Sequence, residues 1–347
     1  MVNMEKSKSI ILIITLSLFL NITNVSTNSN LESCLKKLVN IHNNHPLREG
    51  APITVKDIQL KKSYTLMKND KRINYIKCFT NISKISISKG ACNGKYLRKL
   101  NNISYKNKIV YFSANNLKCN MKELSIISKF KNLKLISLQN SNIDNNIFFY
   151  VKNLKNLKNL YLSYNKLSNK NFILLSENKN LKRLSLNKTN INDKALRSIS
   201  RLTKLKILSL KHTNITSKGG FYLEKLSDLI LLDISYTNID DYCLKNISKL
   251  TKIKDINLEN TNITGKGLKY FSKLKNLKKI NLNHTMIKQK YLKYLLAMKK
   301  LNVLYLHCVD LTPKDIQFIK KYHPNRKNLY LYYNHYKNCM NKSRFRK

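Results

Sequence analysis

A block of 24 residues recurs along this chain in unbroken register, and nothing else in the sequence restricts the fold as tightly. "LKRLSLNKTNIN" from Leu181, "LKILSLKHTNIT" from Leu205, "IKDINLENTNIT" from Ile253 and "LKKINLNHTMIK" from Leu277 start 24 residues, or a multiple of 24, apart. With each block numbered 1 to 24, positions 3, 6, 8 and 13 are apolar. Leu133, Ile136, Leu138 and Ile143 fill them in one block, and Leu157, Leu160, Leu162 and Leu167 in the next. The series continues from Leu181, Leu205, Leu229, Ile253, Leu277 and Leu301. Looser copies precede it around Ile82-Ile85-Ile87 and Val110-Phe112-Leu117, and one follows around Leu329-Leu331. About eleven coils are therefore expected across residues 80–334.

The first half of each block alternates with the period of two that marks a strand. The second half, such as "GKGLKYFSKL" from Gly265, has the apolar spacing of a short helix. A unit this small cannot bury its own apolar side, so successive units must stack and share a core. Position 11 is short and polar, as in Asn165, Thr189, Thr213, Thr237, Thr261 and Thr285, and is expected to bond backbone groups of neighbouring coils.

The pattern L-x-x-L-x-L-x-x-[NT]-x-I, running over roughly three-quarters of the chain, resembles the leucine-rich-repeat family. Its T-N-I-T-x-x-G-L flavour is similar to the subtype with regular outer helices, found in F-box-associated and various bacterial or surface proteins. The resemblance implies an α/β fold: a right-handed solenoid (horseshoe) with a parallel β-sheet on the concave face and short helices on the convex face. It also implies a ligand held on the concave side and no enzymatic activity. No F-box precedes the repeats, and the cysteine-rich caps of extracellular members are missing.

Outside the repeat, Lys6 and Lys8 precede an apolar run from Ile10 to Leu20, followed by "NITNVSTNSN". That arrangement fits a secretory signal peptide over residues 1–27, cut between Ile22 and Asn28, and the run is short for a membrane span. An uncleaved anchor tethering the chain to a membrane is the alternative. Residues 28–79 are expected to form an N-terminal cap, with "PITVKDIQL" as a strand, and residues 335–347 a short C-terminal cap and basic tail. No other segment suits a membrane span. Seven cysteines leave the disulfide connectivity open, and none forms a C-x-x-C pair.

The chain carries 66 Lys and Arg against 18 Asp and Glu, a net charge of +48. Such a surface attracts polyanions, whether nucleic acid, glycan or anionic lipid. Scarce Gly and Pro beside abundant Lys, Asn, Ile and Tyr also fit compositional drift towards AT-rich codons. Lys134, Lys158, Lys182, Lys206, Lys254 and Lys278 share position 4, interrupted only by Ile230, and this column is the candidate polyanion site.

The concave wall is expected to display a column running Tyr111, Ser137, Tyr161, Ser185, Ser209, Asp233, Asn257, Asn281, Tyr305 and Tyr330. A second column contains Ser163, Asn187, His307 and Tyr332. Serine, asparagine and tyrosine with few lysines suggest a surface made for protein contact, Tyr supplying rigid area and Ser or Asn adaptable hydrogen bonds. Asp233, Asp255 and Glu259 belong to an acidic run with Glu224, Asp228, Asp240 and Asp241, and should face the concavity. The candidate partner contacts are Tyr161, Tyr164, Ser185, Asn187, His212, Asp233, Tyr236, Asp255, Asn257, Glu259, His284, Tyr305 and His307.

His284 and Cys308 share a column, with His307 adjacent, but no third group completes a metal or catalytic set; His42 and His45 form a weaker pair. No cofactor, metal or catalytic motif is indicated. The leading expectation is a secreted, non-enzymatic protein that binds another protein. An intracellular adaptor, such as a ubiquitin-ligase substrate receptor, is a further reading.

Overall fold

The structure, a computed structural model, describes residues 82–87 and 94–334, together with the backbone strand at 63–66 and the single residue Ser33. The signal peptide, the strand expected at 52–60, His42, His45 and the tail 335–347 lie outside the described residues. The repeats all fall within one compact unit, Gln59–Lys347.

Among the described residues twelve strands form a single sheet in strict chain order. They are β1 (Ser63–Leu66), β2 (Lys84–Ile87), β3 (Tyr111–Ser113), β4 (Leu135–Ser137), β5 (Asn159–Tyr161) and β6 (Arg183–Ser185). The other half comprises β7 (Ile207–Ser209), β8 (Leu231–Asp233), β9 (Asp255–Asn257), β10 (Lys279–Asn281), β11 (Val303–His307) and β12 (Tyr330–Asn334). Every neighbouring pair is parallel. Eleven strands match the expected coils; the twelfth, β1, lies in the segment assigned to the cap. From β3 to β11 paired residues are 24 apart, whereas β2 to β3 and β11 to β12 each take 27.

One interior rung shows why the apolar letters hold. Phe112, Ile136, Leu160, Leu184, Leu208, Leu232, Ile256, Ile280 and Leu304 pair each with the next and are at most 1% exposed. A polar residue in that rung would sit between two leucine layers with no hydrogen-bond partner, at a cost of about 1–3 kcal/mol.

The outer side mixes α-helical and 3-10 turns. Asp193–Ile199, Asp241–Ile247 and Pro313–Tyr322 are α-helical, and each starts at a side-chain cap: Asn192, Asp240 or Thr312 accepting a backbone N–H. Phe172–Glu177, Lys266–Lys273 and Gln289–Ala297 have no side-chain cap and stay in the tighter 3-10 form. The helix anticipated from Gly265 is thus a 3-10 turn. A cap does not decide the form alone: Ile147–Val151 is α-helical without a side-chain cap, and Ser217–Gly219 is 3-10 although Thr216 caps it.

Position 11 departs from expectation. The hydroxyls of Thr189, Thr213, Thr237, Thr261 and Thr285 each donate to a carbonyl three residues back in their own coil, at 2.6 Å. Two position-11 residues reach across to the preceding coil: Ser141, whose hydroxyl donates to the Ala114 carbonyl and accepts from Leu117 N–H, and Asn165, with four hydrogen-bonding sites in place of a hydroxyl's three. The Asn165 Oδ1 accepts from Ser141 and Ile143 N–H at 2.9 and 3.0 Å, and its Nδ2 donates to the Leu138 carbonyl.

Candidate binding face

Past position 7 the N–H groups of positions 8 and 10 still donate to backbone carbonyls of the next coil, but those of position 9 turn to side chains. The Asn187 N–H donates to Ser163 Oγ at 3.0 Å, Lys211 N–H to Asn187 Oδ1 at 2.9 Å, and His307 N–H to Asn283 Oδ1 at 2.7 Å. Ser163 and Ser185 share a hydroxyl bond of 2.7 Å, and Ser209 donates to Asn187 at 2.7 Å. Ser185 and Asn187, selected as contacts, are therefore committed to holding coils together. Asn257 also spends its Oδ1 on the backbone, at Glu259 N–H.

Next comes a turn residue with positive φ in each coil from β3 to β11: Asn116, Asn140, Tyr164, Lys188, His212, Tyr236, Asn260, His284 and Cys308, at φ 50–62°. The left-handed turn swings its side chain to the rim of the sheet face. Tyr164, His212, Tyr236 and His284 stand there; Tyr164 is 51% exposed.

Together these positions build a band of rings and charges along β5 to β12. Lys188 Nζ lies 5.3 Å from the Tyr164 ring centre. His212 stacks on Tyr236 at 4.2 Å, with Lys211 Nζ 4.6 Å from the same tyrosine ring. Tyr236 donates its hydroxyl to Glu259 Oε1 at 2.9 Å, and Asn281 Nδ2 donates to Glu259 Oε2 at 3.2 Å. Tyr305 stacks on Tyr332 at 4.7 Å with rings 13° from parallel, and Lys279 Nζ lies 5.4 Å from the Tyr305 ring. Tyr161 and Tyr305 stand half-buried on the sheet itself.

The acidic run separates into two groups. Glu224 pairs with Lys249 at 2.8 Å, Asp228 with Lys252 at 2.6 Å, Asp240 caps a helix, and Asp241 binds Thr264 and Gly267 of the next coil. Asp233, Asp255 and Glu259 lie on the sheet face. Both oxygens of Glu259 are occupied, whereas Asp233 uses only Oδ1, on Ser235. Asp255 lies 3.7 Å from Lys279. Burial pushes the Asp255 carboxyl above its ordinary pKa, Lys279 pulls it back, and Asp233 adds to the rise. Desolvation holds the His212 imidazole below its ordinary value; Lys188 and Lys211 reinforce this, and Asp233 and Glu259 oppose it.

Two sequence readings need correction. Tyr111 pairs with Leu135, and Tyr330 with Val303, so both belong to position 5 instead of the Ser137–Tyr305 column, while Tyr332 pairs with Tyr305. The longer coil of 27 residues before β12 accounts for the slip at that end. With positions 5, 7 and 9 correctly aligned, Arg183, Lys211 and Lys279 join the wall, which is less poor in cations than expected. Second, Cys308 is disulfide-bonded, so it offers no thiolate to His284. Cys119 is disulfide-bonded too, and Cys243 is a buried free thiol whose pKa burial raises.

The lysines of position 4 stand along the other rim, exposed except for half-buried Lys182. Among the described residues no helix is long and apolar enough to cross a membrane.

The stacked coils, parallel sheet and outer helical turns define a leucine-rich-repeat solenoid. The sequence model of the leucine-rich repeat matches residues 177–200 and 201–223, the coils of β6 and β7. The fold is shared with an internalin (inlF) from Listeria monocytogenes, at 16% identity over 89% of this chain and 91% of that one, TM-score 0.59. It is shared too with the leucine-rich-repeat protein LIC12759 of Leptospira interrogans, at 22% identity over 80% of this chain and 64% of that one, TM-score 0.54. A third likeness is to TLR13 in its complex with ssRNA13, at 19% identity over 75% of this chain and 41% of that one, TM-score 0.54. No curated protein sequence matches. The chain therefore has the leucine-rich-repeat fold, and two of its coils match that repeat in sequence.

Proposed function

We propose that this is a secreted, non-enzymatic protein that binds another protein along its concave face. The observation that carries the reading is the band from Tyr164 to Tyr332. Stacked rings at 4.2 and 4.7 Å flank Asp233 and Asp255, giving stiff contact area beside charges with bonding capacity to spare. Secretion draws support from the bonded Cys119 and Cys308, since disulfides persist in oxidising compartments, and the same pairing speaks against an adaptor in the reducing cytosol. The N-terminal basic and apolar segments supply the export signal, cleaved or retained as an anchor.

The test places a photo-crosslinking residue at Ser209 or Tyr305 on the wall, and at Phe221 or Tyr242 on the helical face. One protein captured only from the wall, with affinity lowered about tenfold or more by Asp233→Lys, is the expected result. Capture from the helical face alone, or indifference to Asp233→Lys in a folded chain, overturns the reading. A fusion of residues 1–27 to a reporter checks export separately.

A further inference from the structure

We propose that the rim where the strands begin is a docking edge for a sulfated polysaccharide. Backbone bonds of 2.7–2.9 Å join position 4 of each coil to position 4 of the next, from Lys134 through Lys158, Lys182, Lys206, Ile230 and Lys254 to Lys278. The backbones that carry these lysines are thus about 4.8 Å apart, the spacing of paired strands, with Ile230 the one gap. Two neighbouring positions extend the column. Lys131, Lys155, Lys179, Lys275 and Lys299 occupy position 1, and Lys204, Lys252 and Lys300 position 2, all exposed. Lys155 reaches Glu177 at 3.8 Å and Lys252 reaches Asp228 at 2.6 Å; the others make no ion pair among the described residues.

Indiscriminate lysine enrichment would load both rims alike. The opposite rim, at positions 10, 12 and 14 of the same coils, instead sets Lys166, Lys188 and Lys288 against Asp144, Asp240 and Asp310. Cations aligned along one edge repel one another, and a bound polyanion relieves that repulsion. From β4 to β11 the edge runs about 34 Å, long enough for an extended polymer.

The chemistry of the edge selects the polymer. Positions 1, 2 and 4 hold no aromatic ring to stack a base, as single-stranded nucleic acid binding requires. None of the large exposed apolar side chains lies there to enter a bilayer. Lysines without arginines act as point charges suited to repeating sulfates instead of paired, directional contacts. The secretion proposed above would place the chain among such polymers. This edge is separate from the concave wall, and either surface can fail its test without the other.

Heparin affinity of the mature chain, titrated over a series of salt concentrations, tests the proposal. Binding should weaken steeply with salt, and the triple variant Lys158→Gln, Lys182→Gln, Lys206→Gln should lose roughly tenfold or more and show a shallower salt dependence. The control, Lys194→Gln, Lys218→Gln, Lys266→Gln, removes equal charge from exposed positions at the start of the helical face. Equal losses from both triples would reduce the effect to bulk charge and overturn the proposal. Tighter binding to oligo-dT or to phosphatidylserine vesicles than to heparin would overturn the choice of polymer, and unsulfated hyaluronan should bind far more weakly than heparin.

Discussion

The left-handed turn residue is where chemistry and architecture meet most closely. Asparagine tolerates this conformation, but Tyr164, Lys188, His212, Tyr236 and His284 hold it at a strain of about 1–2 kcal/mol each. Each N–H from Asn116 to His284 donates to the carbonyl at the end of the next strand, at 2.7–3.0 Å, and that bond fixes the turn. His284→Gly should therefore be neutral or stabilising by about 1 kcal/mol, while His284→Val should destabilise by more than that in thermal unfolding. These aromatic and histidine residues could be picked out by type as binding candidates. Their turn conformation could not, because Tyr and Lys rarely adopt positive φ and His does so only in a minority of cases; stacking against the next coil imposes it.

At the scale of an element, some helices are fastened by their caps. Asp240 Oδ1 accepts from Tyr242 N–H at 2.9 Å, and Ser217 of the preceding coil bonds both its carboxylate and its N–H. Asp240→Ala should cost about 1–2 kcal/mol in denaturant unfolding, with Asp240→Asn retaining most of the cap. One residue on, Asp241 accepts from Gly267 N–H at 2.8 Å, in a contact so close that a Cβ on Gly267 would lie 2.6 Å from the Asp241 carbonyl oxygen. Acidic residues that look like a patch in the sequence are, in Asp240 and Asp241, fasteners between coils. Nothing in their spacing distinguishes them from Asp233, because the bonding partner comes from a different repeat.

A solenoid transmits stability only between neighbouring coils, so its ends open before its middle. His323 is buried beneath the last coil, its Nδ1 accepting from Asn325 N–H at 3.1 Å. Burial lowers its pKa from the ordinary 6.5, against a weaker opposing pull from the Leu295 backbone. Below about 6.5 the unfolded chain takes up a proton that the folded one resists, so stability is complete above that pH and declines as pH falls through it. Amide exchange should show the segment after β11 losing protection below about pH 6.5 while β6 to β8 keep theirs, and His323→Phe should flatten that dependence.

The 24-residue step from β3 to β11 and the identity of the interior side chains were settled by the sequence alone. Burial of an apolar residue depends on its type and its period, and both are visible in one dimension. Which polar residues of the wall are free to meet a partner was decided only by the tertiary structure. Asn187, Ser185 and Glu259 find their partners 22 to 24 residues away on an adjoining coil, and Asp233 keeps an open oxygen because it turns to Ser235 in its own. Hydrogen-bond capacity is spent by contact in space, which a periodic string of letters does not record.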